Sequence, residues 1–428
     1  MRLVVIGYGP GGVSAALTAK KFAPDTDVII LTRDKLPARR KPGVTLAFQS
    51  PNLRNLGIPD WSPEALKKRG VTVRQGVEVI GGDPNAKELT VRTEKGTTEK
   101  VGYDKLIVAT GGTPVVPAIE GTDLDGVFTI GDISDALRVG ERLEEIASVA
   151  VVGAGFSGLE AAERLLSMGK EVHLVVRSRL LRRLLESELS AELLQRFPSS
   201  LMVHTGVSPE RVLGSDTVDG LSLGAQTIKV QAVLFMTGVK PNTQLASLMG
   251  LRIGPLGGIS VNERMETSAI DVYAVGDCVE MPDFLTGKPV LMPVGSVAAR
   301  AGRQAGLLAA GGSKMYSDVS LRFQYDRIFG TEIVCMGEST TLAQSLGVRA
   351  HVTFTEDPAE STRTAIVTDE SGRVIGGQVL SSRMAAPVGL QILRRMLDGL
   401  GLDETPLLKP PHEELKSLLE ETLGPLNP

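Results

Sequence analysis

Cysteine is almost missing from this chain. Its 428 residues hold two, Cys278 and Cys335, with no CxxC or CxxxxC pair, and the four histidines are scattered. No zinc or iron–sulfur ligand set can be read from such a sequence. An excess of one charge is missing too, since 46 Lys and Arg stand against 50 Asp and Glu for a net charge of −4. A pI near 5.8 gives no basic field to draw nucleic acid. No apolar run approaches the ~18 uninterrupted residues of a membrane span. A strand expected from Leu3 leaves no room for a signal peptide, so a cytoplasmic protein is expected. The length, with 42% apolar and 22% charged residues, suits two or three globular domains.

Glycine is what the chain has in plenty, and it is placed with a pattern. IGYGPGG at 6–12 and VGAGFSG at 152–158 each follow an apolar β-branched run, LVVI and VAVV, and each precedes an Ala/Leu-rich helical pattern. That strand, turn and helix context is what a dinucleotide fingerprint requires. Gly7 and Gly153 permit the tight turn out of the strand. Gly9 and Gly155 let the backbone approach a pyrophosphate, and Gly12 and Gly158 let helix and strand pack closely. The helix N-terminus behind each turn favours negative charge. Two nucleotide sites in one chain imply electron transfer between two cofactors.

The first fingerprint opens a βαβ unit that runs through a helix over 13–22 to a strand over 28–31. Residues 71–103 alternate as short antiparallel strands, and LIVATGGTP at 106–114 reads as a buried strand ending in a turn. Residues 115–121 look like a hinge. A second set begins near 147 and continues through 171–176 to 232–238, after which DVYAVGD at 271–277 returns the chain to the first domain. A helix after Met292 closes that domain, GGSKMYSD reads as a linker, and strands resume from Leu321 up to an amphipathic end, HEELKSLLEETL. The predicted fold class is α/β, with two doubly wound Rossmann-like domains and a C-terminal α+β domain.

VVIGYGPGGVSAALTAKK, LIVATGGTP, VVGAGFSGLEAAERL, TGVKPNT, DVYAVGDCVE and PVGSVAARAGRQAG, in this order over nearly the whole chain, resemble the FAD-dependent pyridine nucleotide disulfide oxidoreductases. Within them the chain is most similar to the branch of NADH oxidases and coenzyme A disulfide reductases. The resemblance implies an FAD domain from residues 1–118 and 249–316, an NAD(P)H domain from 119–248, and a dimerisation domain from 317–428 that makes a homodimer. It implies that Gly7, Gly9 and Gly12 hold the FAD pyrophosphate, that Thr110 and Gly111 lie against FAD, and that Asp277 bonds its ribityl chain. Gly153, Gly155 and Gly158 would hold the nicotinamide dinucleotide. Phe156 falls where the family shields the flavin, and Glu160 where a carboxylate meets the nicotinamide carboxamide. For these last two the plain alternatives are a core aromatic and a helix-surface charge, and for Asp277 a helix cap.

Nucleotide preference is read at the end of the second strand, where NAD sites place an acid and NADP sites bring arginine. The second fingerprint leads to Val176, then to Arg177, Ser178, Arg179, Arg182 and Arg183. That run points to NADPH, or at least against strict NADH use, with a solvated basic helix start as the alternative. At the matching place in the first unit stand Thr32 and Asp34, and either one meets the FAD ribose.

The chain also departs from that branch. An ungapped count along DVIILTRDKLPARRKPG puts Pro42 where the branch places its reactive cysteine, and no cysteine precedes Cys278. Proline cannot act as a nucleophile. Near the C-terminus, Lys409 stands at the expected acid–base histidine and His412 reads as a solvated residue. The basic segment 33–41 offers either an exposed loop or a surface for phosphates or an acidic carrier, and Arg40 and Lys41 lie next to the flavin position. The leading expectation is an NAD(P)H oxidoreductase that reduces FAD and passes electrons to a non-dithiol acceptor: a small redox protein, a quinone or oxygen. The alternatives are a coenzyme A or sulfur-compound reductase working without a protein cysteine, and a non-catalytic flavoprotein that senses NAD(P)H.

Overall fold

Continuous apolar runs become parallel strands covered on both faces. Leu3, Val4 and Val5 are fully buried in the strand Arg2–Ile6, each worth roughly 1.5–3 kcal/mol of transfer free energy. The structure is a computed structural model that describes residues 1–36, 44–49, 59–313 and 319–400. In it, Arg2–Ile6 is the middle strand of a five-stranded parallel sheet. Its order is Val272–Ala274, Lys105–Val108, Arg2–Ile6, Asp27–Leu31, Val71–Arg74. Helix Pro10–Phe22 makes the first crossover, and helix Gly295–Ala309 lies against it. Glycines set that close approach, because a Cβ on Gly302 would stand 2.1 Å from the Gly11 carbonyl oxygen.

A second five-stranded parallel sheet repeats the plan. Its order is Leu201–Thr205, Glu171–Val176, Ser148–Val152, Ala232–Phe235, Val127–Thr129, with helix Phe156–Ser167 as the first crossover. Each unit inserts a three-stranded antiparallel sheet at the same point of its path. In the first, Glu78–Asp83, Glu88–Arg92 and Thr98–Gly102 fill the gap before Lys105–Val108. In the second, Arg211–Gly214, Val218–Ser222 and Thr227–Ile228 fill the gap before Ala232–Phe235. The alternation read over 71–103 therefore holds from Glu78 on, while Val71–Arg74 joins the large parallel sheet.

Two short segments carry the chain between the units, and they pair with each other. Gly112–Pro114 runs antiparallel to Val239–Pro241. Helix Gln244–Leu248, beyond the return segment, packs Ala246 and the following Met249 into the core of the first unit.

The remaining strands build an antiparallel sheet in the order Phe323–Ile328, Thr331–Gly337, Val374–Ser381, Thr362–Asp369, Ala350–Asp357, with helix Ala385–Gly399 on one face. Its first hairpin turns at Phe329 and Gly330, both at positive φ (46° and 75°), the backbone of a type I′ turn. Polar contacts seat this sheet on the second unit. Glu186, buried at the start of a helix, accepts from the Thr340 backbone N–H (2.8 Å) and from Gln378 Nε2 (3.1 Å). No helix among the described residues is long and apolar enough to cross a membrane.

Candidate active site

The strand order in each large sheet reverses beside its middle strand. In the first unit the crevice opens between the C-terminal ends of Arg2–Ile6 and Lys105–Val108, and in the second between Ser148–Val152 and Ala232–Phe235. Open α/β sheets take ligands at such points. Both glycine turns lie there. Gly7 and Gly153 adopt φ of +113° and +116°, and a Cβ on either would stand within 2.4 Å of the carbonyl oxygen of Ala109 or Met236. A Cβ on Gly12 or Gly158 would press on the Gly7 or Gly153 oxygen at 2.2 and 2.0 Å. By contrast, Gly9 and Gly155, the N-caps of the two helices, have nothing within 4 Å of a Cβ. The backbone is thus tight behind and open in front at a helix N-terminus, a cradle that fits a pyrophosphate in each unit.

Around the first cradle, Thr32 is buried and its Oγ1 accepts from the Asp34 N–H at 3.1 Å. Partial burial, and next the nearby Asp132 carboxylate, push the Asp34 carboxyl above its ordinary value. Thr110 Oγ1 donates to the Asn242 carbonyl oxygen at 2.7 Å, and Asn242 Nδ2 returns a bond to the Thr110 oxygen at 2.9 Å. Gly111, at φ +69°, has open space where a Cβ would stand, and its carbonyl accepts from the Asn242 N–H at 3.0 Å. Asn242 belongs to the motif TGVKPNT, and its role as the tie between the two connecting segments was not legible there. Asp277 follows strand Val272–Ala274 at the edge of the first crevice, and the preceding Val275 packs on Gly11.

Around the second cradle, Phe156 is the first residue of its helix, and Glu160 lies one turn on, on the same face. The Glu160 carboxyl is in hydrogen-bond contact with Asp326 of the C-terminal sheet, a residue that no sequence motif marked. Arg177 is exposed, as are Arg182 and Arg183. Arg179 is placed differently, with Nη2 donating to the Leu185 carbonyl (3.1 Å) and to Thr341 Oγ1 (3.2 Å). That guanidinium is partly spent on the contact with the C-terminal sheet.

Neither thiol is positioned for chemistry. Cys278 is fully buried with Sγ 3.3 Å from the Val275 carbonyl oxygen, and Cys335 is buried in its strand. Burial pushes the Cys278 thiol up, and the Cys335 thiol up to about 12, so both stay protonated and unreactive at neutral pH. Pro42, Arg40 and Lys41, and likewise Lys409 and His412, lie outside the described residues.

Residues 1–305 match the pyridine nucleotide-disulphide oxidoreductase family, and the chain belongs to it. It is 34% identical over 317 residues to an NADH oxidase of Methanocaldococcus jannaschii, covering 73% of this chain and 70% of that one. It is 32% identical over 398 residues to an NAD(P)H coenzyme A polysulfide/persulfide reductase of Pyrococcus horikoshii, covering 89% and 87%. Among solved structures, an NAD-dependent persulfide reductase from A. fulgidus superposes with a TM-score of 0.87 at 26% identity, covering 93% of this chain and 77% of that one. The protein is an NAD(P)H-dependent flavin oxidoreductase that uses FAD and NAD(P)H.

Proposed function

We propose that electrons taken from NAD(P)H leave this enzyme for an acceptor that needs no protein thiol: a small redox protein, a quinone or oxygen. The observation behind this reading is the state of the two cysteines, both buried with their thiols held protonated. When bound, FAD accepts hydride from NAD(P)H and passes the electrons on, and the protein positions the two partners.

In this reading Gly7, Gly9 and Gly12 hold the FAD pyrophosphate on the helix N-terminus, and Asp34 and Thr32 face the ribose. Thr110, Gly111 and Asp277 line the flavin side. Gly153, Gly155 and Gly158 hold the nicotinamide dinucleotide. Arg177, with Arg182 and Arg183 beside it, meets a 2′-phosphate, while Arg179 supports the loop from behind through Leu185 and Thr341. Phe156 covers the flavin until nicotinamide arrives, and Glu160 accepts from the nicotinamide carboxamide. We assign 1–118 and 249–316 to the FAD domain, 119–248 to the NAD(P)H domain and 317–428 to a dimerisation domain. Leu245, Ala246 and Met249 pack with the first core, which supports drawing that second boundary nearer 243.

A second reading has a support of its own. Relatives with this fold carry the names of coenzyme A persulfide and NAD-dependent persulfide reductases, so a sulfur compound that reacts at the flavin without a protein cysteine is the competing acceptor. Anaerobic stopped-flow reduction by NADPH and by NADH, followed by mixing with oxygen, a quinone, a small redox protein and coenzyme A persulfide, tests both. Fast reoxidation by one of the first three supports the proposal. Fast reoxidation by the persulfide alone replaces it with the second reading. Slow reoxidation by every acceptor leaves a flavoprotein that senses NAD(P)H.

A further inference from the structure

Residues 177–186, which join strand Glu171–Val176 to helix Ser187–Gln195, form no helix or strand of their own, yet they are held at many points. Leu180, Leu181 and Leu185 are buried, whereas Arg177, Arg182 and Arg183 are exposed. Leu181 sits at φ 46°, a conformation that leucine rarely adopts. Its N–H donates at 2.9 Å to the carbonyl of Ala154, in the second glycine turn. The three leucines share one apolar cluster with Ile333, Cys335 and Leu380 of the C-terminal sheet. The loop thus shows its arginines to solvent while its leucines pack with another part of the molecule.

Glu186 closes the loop, and both oxygens of its carboxyl are engaged from the C-terminal sheet. Oε1 accepts from the Thr340 N–H at 2.8 Å and from Gln378 Nε2 at 3.1 Å, and Oε2 accepts from Thr340 Oγ1 at 2.5 Å. The Glu186 backbone N–H donates to Gln378 Oε1 at 2.6 Å. Beside this knot, Ser339 Oγ donates to the Arg183 carbonyl at 2.9 Å. Glu186, Gln378 and Ser339 are all buried, where hydrogen bonds to a carboxylate are strong and fix geometry.

We infer that Glu186 is a positioning residue: through Thr340 and Gln378 it fastens the arginine loop to the C-terminal sheet, so that this sheet sets how well the second unit holds a 2′-phosphate. The inference rests on the proposed place of Arg177, Arg182 and Arg183 against that phosphate. Binding a phosphate with a free loop costs the ordering of its main chain, and a loop already fixed avoids that cost. The pyrophosphate cradle needs no such help, because Gly153 and Gly158 are packed against carbonyl oxygens of their own unit. Loosening the knot should therefore weaken the grip on the 2′-phosphate and spare the rest of the nucleotide.

The C-terminal sheet has a separate hold on the second unit. Phe329 donates its backbone N–H to Glu163 Oε1 at 2.8 Å, and its ring packs on Phe197 with centroids 4.8 Å apart. Cutting the knot at Glu186 therefore frees the loop while the sheet keeps its other attachment.

The test uses FAD-loaded, oxidised protein titrated calorimetrically with ADP-ribose and with ADP-ribose 2′-phosphate, neither of which can give hydride. The ratio of the two dissociation constants reads the 2′-phosphate alone. Glu186→Ala should cut the native preference for the phosphorylated ligand about tenfold, while binding of ADP-ribose changes by less than about twofold. Glu186→Gln keeps an oxygen for the Thr340 N–H and should recover part of the preference. An unchanged preference in Glu186→Ala, or an equal loss for both ligands, overturns the inference.

Should the variants lose their fold, hydrogen exchange of the native protein decides. Coupling is reciprocal, so saturating ADP-ribose 2′-phosphate should slow exchange at the Thr340 amide about threefold more than saturating ADP-ribose does. Equal slowing by the two ligands overturns the inference. A native protein without preference for the 2′-phosphate, or a preference that Arg177→Glu leaves intact, would instead remove the reading on which it rests.

Discussion

In the first sheet the chain leaves Ile6 through Gly7, whose N–H reaches the Leu31 carbonyl at 2.9 Å, and in the second it leaves Val152 through Gly153, whose N–H reaches the Val175 carbonyl at 3.0 Å. The helices that follow both start on a glycine N-cap with extended backbone. The turns agree because in both the backbone folds back on its own carbonyl oxygens and leaves no room for a side chain at Gly7 and Gly12 or at Gly153 and Gly158. The units part company at the end of the second strand. One presents Thr32 and Asp34, the other Arg177 with Arg182 and Arg183. In the proposed reading the two turns make a generic dinucleotide site, and the side chains at the end of the neighbouring strand decide which dinucleotide enters.

Filling one glycine turn at a time should have the largest effect. Gly12→Ala would drive a Cβ to 2.2 Å from the Gly7 oxygen, and Gly158→Ala to 2.0 Å from the Gly153 oxygen. Each costs about 1–3 kcal/mol of overpacking and pulls the turn out of shape. Gly12→Ala should purify with most of its flavin lost. Gly158→Ala should stay yellow yet be reduced by NAD(P)H at least tenfold more slowly at low nucleotide. Flavin content per chain and the dependence of reduction rate on nucleotide concentration check this, and loss of flavin from Gly158→Ala instead would reverse the assignment of the two units.

A finer cut exchanges the deciding side chains. Arg177→Glu should lower kcat/KM for NADPH by about ten- to hundredfold, the worth of a hydrogen bond between charged groups, while NADH changes little. Arg179→Ala should cost less with NADPH, since its guanidinium is engaged by Leu185 and Thr341. Equal losses with both nucleotides would mean that these arginines serve the fold. On the other side, Asp34→Ala should weaken FAD retention about fivefold, read by dialysis against bromide and flavin fluorescence.

The sequence made the two units legible because their signals are local. A glycine that must turn a strand into a helix sits within a dozen residues of the elements it joins, and the buried strands announce themselves as runs such as LVVI and VAVV. The arginine run was legible only as charge. That Arg179 turns to Thr341, 162 residues on, depends on how the C-terminal sheet docks. The same holds for Asp326, which reaches Glu160 only because the Phe329 and Gly330 turn seats on Glu163, and for Asn242, whose bonds to Thr110 span 132 residues. Contacts between units carry no periodicity and no motif.

The smallest effects should come from the two thiols, Cys278 beside the first crevice and Cys335 in the C-terminal sheet. In Cys278→Ser the hydroxyl inherits the contact with the Val275 carbonyl, 3.3 Å from the present sulfur, so stability should change by less than about 1 kcal/mol. In Cys335→Ser a hydroxyl enters a buried apolar strand without that carbonyl, at a cost of about 1–3 kcal/mol, visible as a lowered Tm. Neither change should alter turnover with any acceptor by more than about twofold, because a thiol that stays protonated is not the nucleophile that a sulfur relay requires. If Cys278→Ser stops turnover while flavin reduction by NAD(P)H stays intact, the electrons leave through sulfur, and the thiol-free route gives way to one in which the crevice itself deprotonates a buried cysteine.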